Sequence, residues 1–234
     1  MSVARYTIGM VYFDGMTLLD SVGPADLFAR VPGVRLMNIG VKPGPVTTDC
    51  GIRVIPDCVL GAAPELNVLF VGGGGGTTEL LADADLLSFL SRRAPQADWI
   101  MSVCTGALVL GAANLLRGYT ATTHWSMLHA LPLFGATTST DRVVIDRNRA
   151  TGGGVTAGID LALSLIARQW GTEQAELVQL VTEYNPHPPF DAGSPQRAPG
   201  AVRESADALF APLTTRRTRA AEVAAERLMA RARD

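Results

Sequence analysis

The fold of this chain is decided by residues 98–116, which read DWIMSVCTGALVLGAANLL. The apolar stretch 98–103 predicts a buried β-strand, and the strongly apolar stretch 106–116 predicts a helix that follows it at once. Cys104 stands at the turn between them. Such a turn strains the backbone of its middle residue, and small residues two places before and after it let strand and helix approach closely. Ser102 and Gly106 occupy those places, so the stretch predicts a nucleophile elbow.

The segments around this elbow alternate between strand and helix patterns. Strands are predicted at residues 6–13, 34–41, 66–71, 98–103, 142–146 and 149–151, and helices at 17–31, 84–93, 106–116, 155–168 and 172–184. Alternation of this kind indicates an α/β fold in which helices cover a mainly parallel sheet.

The bulk composition excludes several classes of protein. A chain of 234 residues with 47% hydrophobic content can bury a full core, and a net charge of −2 gives no basic face for nucleic acid. Its three cysteines lack disulfide or zinc-site spacing, which favours reduced thiols and no bound metal. Neither a signal peptide nor an apolar run of about 18 residues, the length that spans a bilayer, is apparent. We therefore expect a cytoplasmic protein without nucleic-acid or membrane partners.

Cys104 is the candidate nucleophile. It is predicted to lie at the N-terminus of a helix, where the helix dipole favours the thiolate and lowers the thiol pKa. It also follows a central strand, at the edge where open α/β sheets bind ligands. The alternative is a small buried core residue, as free cysteine often is. Cys50 and Cys58 adjoin no predicted helix start, and we expect both to be structural or incidental.

Five glycines at residues 72–76 end another predicted buried strand. Backbone N–H groups there can approach a ligand without an intervening side chain, which suits an oxyanion hole formed by Gly74 or Gly75. Phosphate binding is the rival interpretation, but the loop does not match the phosphate-binding pattern G-x-x-x-x-G-K-[ST]. A tight turn with no ligand is the third.

Four motifs in a fixed order resemble the DJ-1/PfpI superfamily over residues 4–196. They are LDSVGP at 19–24 after the first strand, the glycine loop, VCTGA at 103–107 and TTHW at 122–125. Within the superfamily the chain is most similar to the isonitrile hydratases, including YNP at 184–186 and PFDAGSP at 189–195. Each motif is common, but their order is not.

The resemblance implies a flavodoxin-like three-layer sandwich with a nucleophile elbow, like the class I glutamine amidotransferases, and a homodimer. It implies that Asp20 contacts the Cys104 thiol, that Thr105 belongs to the site and that Ser21 supports it. An acid beside a thiolate is costly when both are charged, so we expect the pair to share one proton, with the carboxyl as donor. Without the family, Asp20 is simply an early-helix acid favoured by the helix dipole.

The three histidines are predicted to be structural or supporting residues rather than catalytic bases. Peptidases of this superfamily carry histidine directly after the cysteine, where this chain has Thr105. His124, with Trp125, is expected to support the pocket rather than act as a base, and His129 and His187 to be satisfied structural residues. Met16, Trp125 and Phe190 are candidate apolar pocket walls.

The function that the resemblance implies is hydration of a small-molecule isonitrile to an N-substituted formamide. For this reaction we expect a thioimidate on Cys104 as the intermediate, and no cofactor is needed. Two alternatives remain. The same domain occurs as a ligand sensor in transcription regulators, although residues 201–234 are too few for the two helix-turn-helix units expected there. A glyoxalase or deglycase that acts on reactive carbonyls would also use a thiol and an acid.

The predicted organisation is a catalytic domain over residues 1–200, including a Pro-rich excursion at 185–200, and a helical extension over 201–234. The extension is rich in Ala and Arg. The sequence leaves open whether it is a solvated appendage or an added interface.

Overall fold

A computed structural model describes residues 6–231 of the chain. The strands are β1 (Tyr6–Tyr12), β2 (Val34–Gly40), β3 (Val46–Thr47), β4 (Arg53–Val54), β5 (Cys58–Val59), β6 (Val68–Val71), β7 (Trp99–Val103), β8 (Thr120–Ala121), β9 (Thr137–Thr138), β10 (Val143–Asp146) and β11 (Arg149–Gly152). The helices are α1 (Leu18–Phe28), α2 (Thr77–Leu80), α3 (Ala84–Arg93), α4 (Gly106–Ala112), α5 (Ala157–Trp170), α6 (Thr172–Val181) and α7 (Gly200–Arg231). Short 3₁₀ segments lie at Leu60–Ala62, Ala94–Gln96 and Trp125–Phe134.

Seven strands form the central sheet in the order β10-β11-β7-β6-β1-β2-β5. All neighbouring pairs are parallel except β10 and β11. The inner strands β6 and β7 are buried along their whole length, as strands covered on both faces must be. Helices α1, α5 and α6 pack together in one layer, and α2, α3, α4 and α7 in another. The predicted three-layer α/β sandwich with a mainly parallel sheet is confirmed.

The long elements lie close to their predicted bounds, and the differences have local causes. The helix predicted over residues 106–116 ends at Ala112, because Asn114 turns into the left-handed region with φ +60°. Strands of two residues, such as β3 and β4, are too short to produce a periodic pattern and were not predicted. Residues 182–199 contain no helix or strand; the segment predicted as a Pro-rich excursion, 185–200, lies within this stretch except for Gly200, which begins α7.

Helix α7 packs against the body of the protein. It contacts α2, α4 and the 3₁₀ segment, and it buries Ala221, Ala224 and Ala225. This packing excludes the solvated-appendage alternative. Between residues 6 and 231, no helix combines the length and the apolar character needed to cross a membrane.

Candidate active site

Four neighbouring parallel strands end at the same edge of the sheet, and the segments that follow them form the site. Asp20 lies in α1 after β1, the glycine loop follows β6, Cys104 follows β7, and the segment 153–155 follows β11. Open α/β sheets bind ligands at this edge. The topology therefore brings the predicted thiol, acid and glycine loop together.

Cys104 adopts the strained backbone that the elbow requires. Its φ is +56°, a region that costs non-glycine residues free energy, and the residue is only 6% exposed. Its N–H donates to the Gly153 carbonyl at 2.7 Å, and its own carbonyl accepts the Thr123 hydroxyl at 2.7 Å. A Cβ at Gly106 would lie 2.1 Å from the Val71 carbonyl oxygen, so only glycine fits where helix meets strand. Tertiary contacts thus hold the elbow in shape.

The environment of the thiol differs from the prediction. Burial, and secondly the charge of Asp20, raise the pKa of Cys104 to about 12. Hydrogen bonds from the backbone N–H groups of Thr105 and Val155, together with the charge of Arg217, lower this pKa without offsetting the increase. The direction of this shift is opposite to the low thiol pKa that the helix N-terminus predicts, because desolvation outweighs the dipole.

Asp20 is fully buried beside this thiol. Its Oδ2 accepts the Gly73 N–H at 2.7 Å, while Oδ1 meets no hydrogen-bond geometry with any described residue. Burial raises the pKa of Asp20 to about 6, although the Gly73 N–H and the Cys104 thiol act in the opposite direction. Since burial raises the pKa of both groups, the pair holds one proton or two near neutral pH rather than none.

The glycine loop packs directly on the elbow. A Cβ at Gly73 would lie 2.5 Å from the Thr105 nitrogen, so this contact requires glycine. The Gly74 N–H donates to Thr105 Oγ1 at 3.2 Å, and that hydroxyl also bonds Thr77 Oγ1 at 2.9 Å. Gly74 was predicted as a free oxyanion donor, but its N–H is engaged with Thr105. Gly75 remains a predicted donor.

Val155 is a site residue that sequence reasoning missed. Its φ is +23°, unusual for any side chain and more so for a β-branched one, and its N–H faces the Cys104 thiol. The signal in the sequence was the run Gly152, Gly153 and Gly154 after a predicted strand, which resembles the glycine loop in composition.

The other predicted residues occupy different positions around this centre. Ser21 is fully buried, and its Oγ has no hydrogen-bond partner among the described residues. Met16 is also buried and pairs through its backbone with Gly74. His129 bonds Thr218 of α7 through Nε2 at 2.8 Å, as a satisfied structural histidine does, whereas His187 is exposed.

His124 and Trp125 connect the site to α7. The Ser126 N–H donates to His124 Nδ1, which leaves the proton of the neutral ring on Nε2. Burial and the charge of Arg217 lower the pKa of His124 to about 4, so the ring is neutral at physiological pH. Phe210 of α7 packs on both rings, with centroids 5.2 Å from His124 and 5.7 Å from Trp125. These contacts support a structural role for His124 and Trp125 rather than a role as a base.

Arg217 is the second residue that sequence reasoning missed. It projects from α7 and is only 4% exposed. Its Nη2 donates to the Gly74 carbonyl at 2.6 Å and, at 3.4 Å, to that of Gly75. The arginines of residues 201–234 looked alike in the sequence, since no local pattern distinguishes a buried arginine from its solvated neighbours.

Cavity size alone does not locate the site. A pocket of 680 Å³ lies between α3 and α7, and one of 510 Å³ lies outside the glycine loop and is lined by Gly15, Gly76 and Glu79; neither has Cys104 or Asp20 in its wall. A groove of 340 Å³ lies on the other side, between Gly153, Trp125 and the Pro-rich segment with Phe190. The groove borders the backbone that holds Cys104, so the groove is the better candidate for a substrate approach.

Comparison with known proteins agrees with this fold. The model of the DJ-1/PfpI family matches residues 6–168. The chain belongs to the DJ-1/PfpI family. It is 45% identical to the isonitrile hydratase of Pseudomonas putida, over 94% of this chain and 97% of that protein. A crystal structure of a THiJ/PfpI family protein from Pseudomonas syringae is 44% identical, with a TM-score of 0.90 over 93% of this chain and 90% of that one.

Some of the proteins to which the chain is similar are regulators. The HTH-type transcriptional regulator GbdR of Pseudomonas aeruginosa is 31% identical over 71% of this chain, which corresponds to 47% of the regulator. The match to the regulator is too short to extend from Tyr6 to Arg217. The match to the isonitrile hydratase covers so much of the chain that it includes Arg217, although Arg217 lies beyond the residues that the family model matches.

Proposed function

We propose that this chain is an isonitrile hydratase, which adds water to an isonitrile and releases an N-substituted formamide. The observation that carries the proposal is the near full-length similarity to an isonitrile hydratase together with Asp20, buried beside the Cys104 thiol and hydrogen-bonded to the glycine loop. A buried acid whose pKa is about 6 can both donate and accept a proton near neutrality, which suits general acid–base catalysis.

In the first step the Cys104 sulfur forms a bond to the terminal carbon of the isonitrile. Asp20 takes the thiol proton and delivers it to the same carbon, which becomes strongly basic when the sulfur adds. The product is a thioimidate, R–N=CH–S–Cys104, and the site's net charge is unchanged. Moving the proton as the bond forms avoids a free thiolate, which burial disfavours.

In the second step water adds to the thioimidate carbon. Asp20 accepts a proton from the water and passes it to the substrate nitrogen. The carbon–sulfur bond then breaks, the hydroxyl proton returns to sulfur by way of Asp20, and R–NH–CHO leaves. The N–H groups of Thr105 and Val155 stabilise the departing sulfur, and Gly75 is the proposed donor to the developing oxygen charge.

Two alternatives differ in what they need from the chain. The ligand-sensing alternative is less favoured by the structure of residues 200–231, which form the single helix α7 and pack on the site. A glyoxalase or deglycase would use the same thiol and acid on a carbonyl carbon. Activity on methylglyoxal without activity on an isonitrile would favour this second alternative.

The deciding experiment measures formamide production from cyclohexyl isocyanide by the purified protein and by Cys104→Ala. We expect turnover by the wild type and none by the variant, because the other two cysteines, Cys50 and Cys58, lie outside the elbow. The matched control is Cys50→Ala, since Cys50 is exposed, and it should retain full activity. Turnover by Cys104→Ala at the wild-type rate would exclude the mechanism.

A further inference from the structure

Arg217 lies in a place where a positive charge is costly. It is only 4% exposed, and its Nε is buried without a hydrogen-bond partner among the described residues. Both of its hydrogen bonds, through Nη2, go to neutral carbonyls of the glycine loop. Arginine does not deprotonate in proteins, so the charge stays, and a buried charge requires a compensating partner.

Among residues 6–231, no carboxylate forms an ion pair with Arg217. The neighbouring Arg216 forms an ion pair with Glu79 on the surface, with N and O 3.6 Å apart. Of the titratable groups that face Arg217, Glu79 and Arg216 lie toward solvent, His124 is neutral, and Cys104 lies at the elbow. The remaining source of negative charge is the Cys104 and Asp20 pair, which becomes anionic when it loses one proton.

We propose that Arg217 is a positioning residue of the active site, whose charge balances the anionic form of the Cys104 and Asp20 pair while its hydrogen bonds hold Gly74 and Gly75 over the elbow. The inference extends the proposed function and rests on it for the reaction. The electrostatic part concerns the ionisation of the Cys104 and Asp20 pair and is tested without substrate. Helix α7 thereby contributes to the chemistry from outside the α/β sheet.

The two contributions of Arg217 reinforce each other. Gly73 bonds Asp20, and Gly74 bonds Thr105 directly after the nucleophile, so the loop that Arg217 holds touches both partners of the pair. Removing the guanidinium removes the counter-charge and also frees the loop. A substitution that keeps a hydrogen-bond donor but loses the charge separates these two effects.

The test measures the rate of Cys104 alkylation by iodoacetamide as a function of pH. Mass spectrometry of the peptide that carries Cys104 excludes signal from Cys50 and Cys58. The midpoint of the rate profile near neutral pH reports the loss of the first proton from the Cys104 and Asp20 pair, and unlike the absolute rate it does not depend on how open the site is. For Arg217→Gln and Arg217→Met we expect the midpoint to rise by about one pH unit, so that the rate below it falls about tenfold.

Two controls accompany these variants. Arg217→Lys keeps the charge and should keep the wild-type midpoint, and Arg216→Met, at an exposed neighbouring arginine, should not change it. On cyclohexyl isocyanide, Arg217→Gln should lower kcat about tenfold and change KM less than twofold. A wild type that does not turn over isonitriles would defeat the proposed function and leave the alkylation result standing.

The outcomes decide the proposal in each case. A wild-type midpoint in folded Arg217→Gln would overturn it. If both neutral variants fail to fold while Arg217→Lys folds with an unchanged midpoint, the charge is needed at this position, as proposed. Failure of all three variants to fold would assign Arg217 a purely structural role and overturn the proposal.

Discussion

At the scale of single residues, two strained backbone conformations in the site lower the stability of the folded protein. Cys104 and Val155 both have positive φ, and neither is glycine. Such strain persists only where the surrounding contacts enforce it, here the bonds from Cys104 to Gly153 and Thr123. A strained nucleophile lowers the stability of the protein but keeps the reactive atom in a fixed geometry.

Cys104→Gly should therefore be more stable than Cys104→Ala. Glycine adopts φ near +56° freely, whereas alanine keeps the Cβ that disfavours it, so we expect a difference of about 1 kcal/mol in the free energy of unfolding. Urea denaturation of both variants measures it. Equal stability would mean that the elbow relaxes once the sulfur is gone.

Asp20→Asn should stabilise the protein above pH 6 while it abolishes turnover. The pKa of Asp20 is raised from 3.8 to about 6, so the native state holds a proton between these values that the unfolded state has lost. Stability therefore falls as pH rises through this window, and the loss is complete above it. Removing the ionisable group recovers up to about 3 kcal/mol near pH 8.

This gain should shrink as pH falls toward 4, which distinguishes it from a general packing effect. Denaturant unfolding at several pH values measures the difference between the two proteins, in which titrations at other sites cancel. Asp26→Asn on the same helix is the control, because its pairing with Arg30 is solvent-exposed and contributes little. A difference that does not vary with pH would contradict the raised pKa.

The residue types of the site were predictable, but their ionisation was not. An elbow has a local signature, so Cys104 followed from a strand, a small residue and a helix in sequence. The thiol pKa instead depends on desolvation, which is set by the tertiary packing around Cys104. Arg217 had no local signature at all.

At the scale of elements, the site depends on how closely the glycine loop approaches the elbow. Alternating patterns predicted β6, β7 and α4 because each buries a long apolar stretch. Patterns do not encode the distance between two loops. The docking of α7 was likewise unpredictable, since its buried surface consists mostly of alanine and carries little hydrophobic signal.

Gly73→Ala should disrupt the site, because it adds a methyl group on the side of the glycine loop that faces Thr105. The new Cβ would lie 2.5 Å from the Thr105 nitrogen and 2.9 Å from the Cys104 Cβ, and both are held by backbone that cannot move aside alone. We expect a loss of roughly 1–3 kcal/mol in stability, as overpacking costs, and a loss of at least about tenfold in kcat/KM.

Gly61→Ala provides the matched control. No atom lies within 4 Å of the Cβ it would introduce in the 3₁₀ segment Leu60–Ala62, so stability and activity should stay at wild-type values. Thermal melts and steady-state kinetics of the two variants test the comparison. Wild-type kinetics in Gly73→Ala would show that loop and elbow need not touch during catalysis.

At the scale of the whole molecule, the two helical layers have different surfaces. The layer with α7 covers the site, whereas α6 in the opposite layer leaves Leu177, Leu180 and Val181 exposed at 54%, 78% and 62%. The spacing of these residues puts them on one face of α6, and apolar faces of this kind commonly mark interfaces. The sequence predicts a homodimer only through the family resemblance; the exposed face of α6 gives that prediction a physical location.

We therefore expect a dimer that forms through α6, with a sedimentation mass of about twice the 24.7 kDa of one chain. Leu180→Glu places a charge at the centre of that face and should shift the mass toward the monomer, since burying an unpaired carboxylate costs several kcal/mol. Ile55→Glu, at a residue 77% exposed between β4 and β5, should leave the dimer intact. Helix α6 packs on α5, which follows Val155. A monomeric Leu180→Glu with reduced turnover would therefore show that assembly affects the site through this helix pair. An unchanged mass would place the dimer interface elsewhere.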